Sequence, residues 1–358
     1  MDCMRALLII CMVCGHTGSP YNTYIYMMHM PGFLVLSGFT SYLACTKKSY
    51  RPAEYIKKRI LSILIPAILV NTVFYLFYWM MEKLNLYTFV QAEPYRPLGE
   101  SLLSFVKNLR TTDVGGGTWF LFVLFEAEVL FTVFSAISTR LQHKKLVYVL
   151  CAVCGLAGER LAVSANYLPY LLDLGMLAVL YYGIGYFIAE FDILNKIERK
   201  TLLPLCAVLT VFFGSFWFKG RLPMNWPTRQ FADLFIQLVS CFACLYLVYE
   251  LSVFLSKRRC SALLSEVGRK TYCILVLHFL VFKIVFLFCH WIKPGIIPID
   301  YLQNLTPDSS LNQNGGWLII AIVTIVICMM ISYMASFWKP FNYVFNARLD
   351  IKRKGKQG

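Results

Sequence analysis

MDCMRALLIICMVCGHTGSPYNTYIYMMHMPGFLVLSGF, residues 1–39, decides how the rest of the chain is read. Arg5 opens an apolar run and His16 closes it, with ten residues between them. A second apolar run follows at once and carries His29, Met30 and Pro31, then Ser37 and Gly38. At helical rise, Arg5 and His16 stand about 16 Å apart. If the run crosses a bilayer, Arg5 lies near one surface and His16 well inside. Charge and imidazole are costly in hydrocarbon and mark function where they occur there.

The remaining chain supplies the bilayer. Of 358 residues, 58% are hydrophobic and only 15% charged, far less charge than a soluble domain of this length exposes. Apolar runs near the length of a membrane span recur throughout. They cover roughly 3–19, 26–46, 60–81, 118–138, 146–160, 168–190, 201–218, 231–255, 271–292 and 316–338. Gly155 and Gly158 interrupt the fifth, and Lys283 sits inside the ninth. The expected fold is all-α: a polytopic membrane protein, a bundle of about ten transmembrane helices. Residues 1–338 form one membrane domain, and 339–358 a basic cytoplasmic tail.

The formal charge of +15 does not point to nucleic acid, because the basic residues lie between apolar runs. On alternate sides of the membrane, the side holding the N-terminus carries more than twice as many Lys and Arg as the other. The positive-inside rule then puts both termini in the cytoplasm. A secretory or lipoprotein-type leader ending near Cys14 is the rival reading of the first run. Three C-x-x-C pairs, Cys11/Cys14, Cys151/Cys154 and Cys241/Cys244, fall in apolar runs with no charged or His neighbours forming a ligand set. They read as small packing residues rather than metal or redox sites.

Several residues have the chemistry for a site. His16 can act as a general base on a hydroxyl, or be an imidazole ending a short span among head groups. Pro31 and Gly38 loosen the second span, so that freed carbonyls can line a cavity. Ser37 is a nucleophile or, with Gly38, a helix-packing contact. A third intramembrane imidazole, His278, follows GRKTYCILVL in the ninth run. The loop KKSYRPAEYIKKR, 47–59, is a topology anchor or a holder of phosphates through Lys57, Lys58 and Arg59. Glu126, Asp173 and Asp233 are the acids at membrane depth that can orient an imidazole. The long outside loop, 82–117, offers Tyr87, Phe89 and Tyr95 as a face for a sugar or as an interfacial aromatic belt.

In order, Asp2, Arg5-x10-His16, His29-Met30-Pro31, Phe33 and Ser37-Gly38 resemble the start of the acyltransferase family 3 membrane proteins. Trp119-Phe120-Leu121 continues the likeness, as do LPYLLDLGMLAVLYYGIGY at 168–186 and Gly268-Arg269-Lys270-Thr271 leading to His278. The last three are most similar to the branch of fucose 4-O-acetylases and related acetyltransferases. The resemblance implies an O-acyltransferase of the plasma or inner membrane, moving acetyl from cytoplasmic acetyl-CoA to a carbohydrate hydroxyl. The acceptor is a lipid-linked or exported glycan, and acyl-CoA is a co-substrate rather than a permanent cofactor. It implies activity tied to Arg5 and His16, with His29 a further catalytic candidate. The donor side falls to Arg5, Lys57, Lys58 and Arg59, although Ser62 stands where the family has the second arginine of an R-x-x-R pair. Ser37, Trp119, Asp173 and His278 are the candidates for the acceptor side. Besides acyl-CoA, glycan and lipid, no nucleic-acid partner and no metal is implied. The alternative from another class is a transporter or flippase that uses its imidazoles for proton relay.

Overall fold

A computed structural model describes residues 1–47, 51–91, 94–109, 111–215, 224–231, 233–292 and 315–348. Lys48 of the basic loop and 349–358 of the basic tail lie outside them. The cytoplasmic and membrane helices begin with α1 (Asp2–His16), α2 (Asn22–Lys47) and α3 (Pro52–Arg59). A π-turn at Ile60–Leu64 joins α3 to α4 (Ile65–Lys83) as one rod. On the outer side follow α5 (Tyr87–Val90) and α6 (Leu98–Asn108). Then come α7 (Trp119–Arg140), α8 (Leu146–Val163) and α9 (Leu172–Glu190), the last entered through a 3-10 turn at Pro169–Leu171. After α10 (Ile193–Lys196) and α11 (Arg199–Gly214), a small hairpin pairs β1 (Met224–Asn225) with β2 (Gln230–Phe231). The chain continues through α12 (Leu234–Ser256), α13 (Ser261–Arg269), α14 (Thr271–Ile292), α15 (Gly316–Ala335) and α16 (Lys339–Asn346).

All ten expected runs are helical, and seven of these helices are long and apolar enough to cross a membrane. The exceptions are α1, α2 and α11. Helix α1 has 15 residues, about 22 Å of rise against a hydrocarbon core of about 30 Å. It therefore stops inside the bundle. The turn that follows is enclosed, with Thr17 and Ser19 buried, and Thr17 Oγ1 donates to the Cys14 carbonyl at 3.0 Å. Such irregular backbone is tolerated at depth only where protein surrounds it. Helix α2 has the length, but its middle carries His29 and Pro31.

Helix α9 is the centre of the bundle, packed against α2, α7 and α8. Membrane helices gain little from apolar burial alone, so close backbone approach decides which pairs associate. Gly38 on α2 and Gly185 on α9 make that approach: a Cβ on Gly38 would overlap the Tyr182 carbonyl, and one on Gly185 the Val35 carbonyl. The Ser37-Gly38 pair is thus a packing contact at Gly38. Gly158, an apparent interruption of the fifth run, lets α8 approach the Asp173 carbonyl of α9 in the same way. Lys283 is turned inward, 5% exposed.

The two ends of the described chain lie on one side. Gly268 of α13 abuts the Asp2 backbone, and Arg348 donates to the Arg269 carbonyl at 3.4 Å. They therefore share one face of the bundle, as the expected common location of both termini requires. The segment read as tail begins with α16, which packs back on α4, α14 and α15 and buries Asn342 and Asn346. All thirteen cysteines are free thiols, and only Cys260 is exposed.

Two outcomes follow from this arrangement. A membrane-impermeant maleimide is expected to label Cys260 in inside-out vesicles and leave it unlabelled in right-side-out ones; the reverse pattern would invert the topology. Gly185→Leu is expected to lower the thermal unfolding midpoint of the detergent-solubilised protein, because overpacking costs about 1–3 kcal/mol or more.

Candidate functional site

The end of α1 delivers His16 to α14. Its ring lies 5.4 Å, centroid to centroid, from His278, 4.8 Å from Phe279 and 6.1 Å from Tyr26. Tyr26 in turn meets His29 edge-on at 5.1 Å. Three imidazoles from three helices thus gather around two aromatic rings. The cluster forms because α1 ends early, so that the chain turns back into α2 at His16 depth instead of continuing to the surface.

His29 and His278 are fixed by their own helices. His29 Nδ1 is 2.8 Å from the Ile25 carbonyl, and His278 Nδ1 is 2.8 Å from the Leu275 and 3.1 Å from the Ile274 carbonyl. A nitrogen facing a carbonyl oxygen must donate, so in each neutral ring Nε2 carries the lone pair. His278 is fully buried, and its Nε2 meets no hydrogen-bond partner. Leaving such an atom unmet costs about 1–3 kcal/mol, a cost that an arriving substrate group would remove. His16 is only half-buried. Among the described residues its ring makes no hydrogen bond, which leaves it the accessible imidazole of the three.

None of the three acids named from sequence orients these rings. Asp173 is wholly buried and paired with Arg229 of the outer hairpin, Nε to Oδ2 at 2.6 Å, with Arg229 also over the Tyr167 ring. Asp233 caps α12, accepting from the Phe235 amide at 2.9 Å. Glu126 faces Gly175 on α9. Backbone carbonyls do the orienting instead, a role open to any helical residue and therefore without a residue-type signature. Among the described residues no three His, Cys, Asp or Glu side chains are placed to hold one metal ion.

The donor-side candidates separate into two groups. Arg5 sits in the first turn of α1, paired with Asp2 at 3.0 Å and about a third exposed. Lys57 and Lys58 are exposed on α3. Arg59 turns inward: its Nε lies 2.8 Å from Glu128, which is buried on α7, and 3.1 Å from the Tyr55 hydroxyl. Tyr55 continues to Ser41 and Tyr182 at 3.1 and 3.2 Å. Arg59 therefore has its charge matched inside the protein, and Lys57 and Lys58 carry the exposed charge of α3. Ser62, in the π-turn, has a buried hydroxyl without a partner; such turns recur at functional sites.

The residues that sequence reasoning passed over are Gly115, Gly116 and Gly117. They end the outside loop, which dips back among the helices before α7. A Cβ on Gly117 would lie 2.9 Å from His278 Cε1 and 2.9 Å from the Leu275 carbonyl oxygen, and one on Gly116 would meet the Phe279 ring at 3.2 Å. Thr118 pins the dip, donating to the Gly115 carbonyl at 2.6 Å and accepting from Asn71 at 2.9 Å. The Gly-Gly-Gly run was the available signal, since glycine permits close backbone approach. Trp119, starting α7, stands two residues past the contact with His278. Ser37 lies eight residues beyond His29 on α2, about 12 Å along the helix.

The fold and cluster define a multi-pass membrane protein with three imidazoles gathered inside the bundle, one short helix away from Arg5. The acyltransferase-domain family Acyl_transf_3 matches residues 1–339. The chain belongs to acyltransferase family 3. No curated protein matches it, and neither does any solved structure.

Gly117→Ala tests the role of the dip. Backbone on one side and the His278 ring on the other leave the new methyl little room, so acyltransferase activity per folded molecule should fall at least tenfold, about 1.4 kcal/mol, measured at a temperature where the variant is still folded. Undiminished activity would show that the contact has no bearing on the site.

Proposed function

We propose that this acyltransferase moves an acetyl group from cytoplasmic acetyl-CoA to a carbohydrate hydroxyl presented from the outer side, in the plasma or inner membrane. The observation that carries this reading is the His16–His278 pair inside the bundle, joined by one short helix to Arg5 at the cytoplasmic face. Arg5 and the exposed Lys57 and Lys58 suit the phosphates of a CoA. The pantetheine arm is thin and long enough to cover the distance of about 16 Å from Arg5 to His16.

In the proposed reaction His16 takes the proton of the acceptor hydroxyl as its oxygen attacks the thioester carbonyl. The C–O bond forms, the C–S bond breaks, and the proton passes from His16 to the departing thiolate. His278 Nε2, an acceptor, takes a hydrogen bond from a neighbouring hydroxyl of the same sugar and so holds the reacting hydroxyl beside His16. His29 holds Tyr26 and the start of α2 against His16. Likeness of the motifs at 168–186 and 268–278 to the fucose 4-O-acetylase-like branch favours acetyl as the acyl group and a sugar as acceptor. Family membership in an acyltransferase domain favours chemistry over transport alone.

The test uses the purified protein in proteoliposomes, with radiolabelled acetyl-CoA inside and surface glycans of the source cell outside. His16→Gln should cut label transfer by about 10²–10⁴, the usual contribution of a general base, with protein abundance unchanged. Transfer at the wild-type rate would remove His16 from the mechanism. Label moving across without entering glycan would support transport instead.

A further inference from the structure

A half-open pocket beside the loop before α7, distinct from the imidazole cluster, has no role in the account above. Its walls come from the outer end of α4, from α5, from the start of α6 and from residues 111–113. Tyr78, Tyr87 and Tyr95 form one side, with ring centroids 5.7 and 5.2 Å apart in sequence. Gln91, Thr112 and Asp113 supply polar groups to the lining. Tyr78 and Gln91 are buried, and Tyr78 donates to Gln91 Oε1 at 3.5 Å.

An interfacial aromatic belt turns its rings outward to head groups. These rings turn toward one another around a cavity, so the belt does not explain them. An apolar lipid chain does not suit walls that carry an amide, a hydroxyl and a carboxylate. The lining carries one guanidinium, Arg96, and one carboxylate, Asp113, so the pocket has no net charge that would select a phosphate or carboxylate. Ligand pockets pair apolar and aromatic area with a few placed polar groups, and a sugar ring matches that combination: its C–H face packs on an aromatic ring while its hydroxyls bond to amide and carboxylate.

The pocket also joins the reaction site through the chain itself. Asp113 lines its floor, and Gly117, four residues on, touches His278. Four residues span at most about 14 Å even when fully extended, and this stretch is coiled: the Gly116 amide bonds the Asp113 carbonyl at 2.8 Å and the Thr118 amide the Gly115 carbonyl at 2.8 Å. A glycan of a few linked rings covers that span.

We infer that the Tyr78–Tyr87–Tyr95 pocket is an acceptor subsite that holds a sugar ring neighbouring the one to be acylated, so that the enzyme prefers an oligosaccharide to a single sugar. The inference rests on the acyl-transfer reading for its acceptor class. Its test needs two measurements on protein in nanodiscs, with oligosaccharides released by mild acid from the source cell's surface glycans. In the first, these oligosaccharides should change tryptophan fluorescence saturably through Trp79 at the pocket wall, and Tyr87→Ala, Tyr95→Ala and Asp113→Asn should each weaken that binding about tenfold or more. Tyr87→Phe, which keeps the ring, should bind within about twofold of wild type. In the second, the alanine variants should raise the acceptor KM by the same factor while the acetyl-CoA KM stays at the wild-type value, which also shows that they fold. Wild-type transfer with unchanged acceptor KM in the variants overturns the subsite and leaves the acyl-transfer reading standing. Saturable binding lost in the variants, without any acetyl transfer by wild type, keeps the pocket and overturns that reading. Absence of saturable binding to wild type overturns the subsite.

Discussion

Polar groups inside hydrocarbon have to be satisfied by the protein itself, and the interior of this enzyme is arranged around that constraint. His29 and His278 donate to carbonyls of their own helices. Arg59 and Glu128 neutralise each other beside Tyr55, and Asp173 is closed off by Arg229. Breaking such a buried pair costs about 3–5 kcal/mol, so these contacts fix the helices that carry them. Several buried polar atoms nevertheless have no hydrogen-bond partner, among them the Ser62 hydroxyl, Glu126 Oε2 and His278 Nε2, and the last belongs to the ring that faces His16.

The second organising feature is a helix too short for its membrane. By ending at His16, α1 places an imidazole at depth without an exposed backbone end, because Thr17 closes the last turn. The glycine dip before α7 does the complementary job from the outer side. It brings backbone rather than side chain against His278 and so links the outer surface to the ring pair. The ring pair is thus reached along α1 from the end that carries Arg5 and along the glycine dip from the other end of α1, and in the proposed reaction these are the donor and acceptor sides.

Much of the fold was legible in the sequence. Ten apolar runs became helices in the expected order, because length and hydrophobicity near one bilayer thickness are local properties. Boundaries were less so: the first span loses its last turn, and the residues from Lys339 begin with a packed helix. Those ends depend on what the neighbouring helices offer, such as the enclosed turn at Thr17 and the face that buries Asn342.

The site divides along the same line. By itself the sequence determined that Arg5, His16, His29 and His278 lie in or beside apolar runs, which made them the candidates for chemistry, because imidazole and charge are improbable there without cause. Only the tertiary structure decided which of them meet. It set His16 against His278, put Arg59 with Glu128 and Asp173 with Arg229, and brought Gly117 to an imidazole more than 160 positions away in the chain. Residue type declares what a group can do, whereas the packing of helices far apart in sequence settles what it does it to.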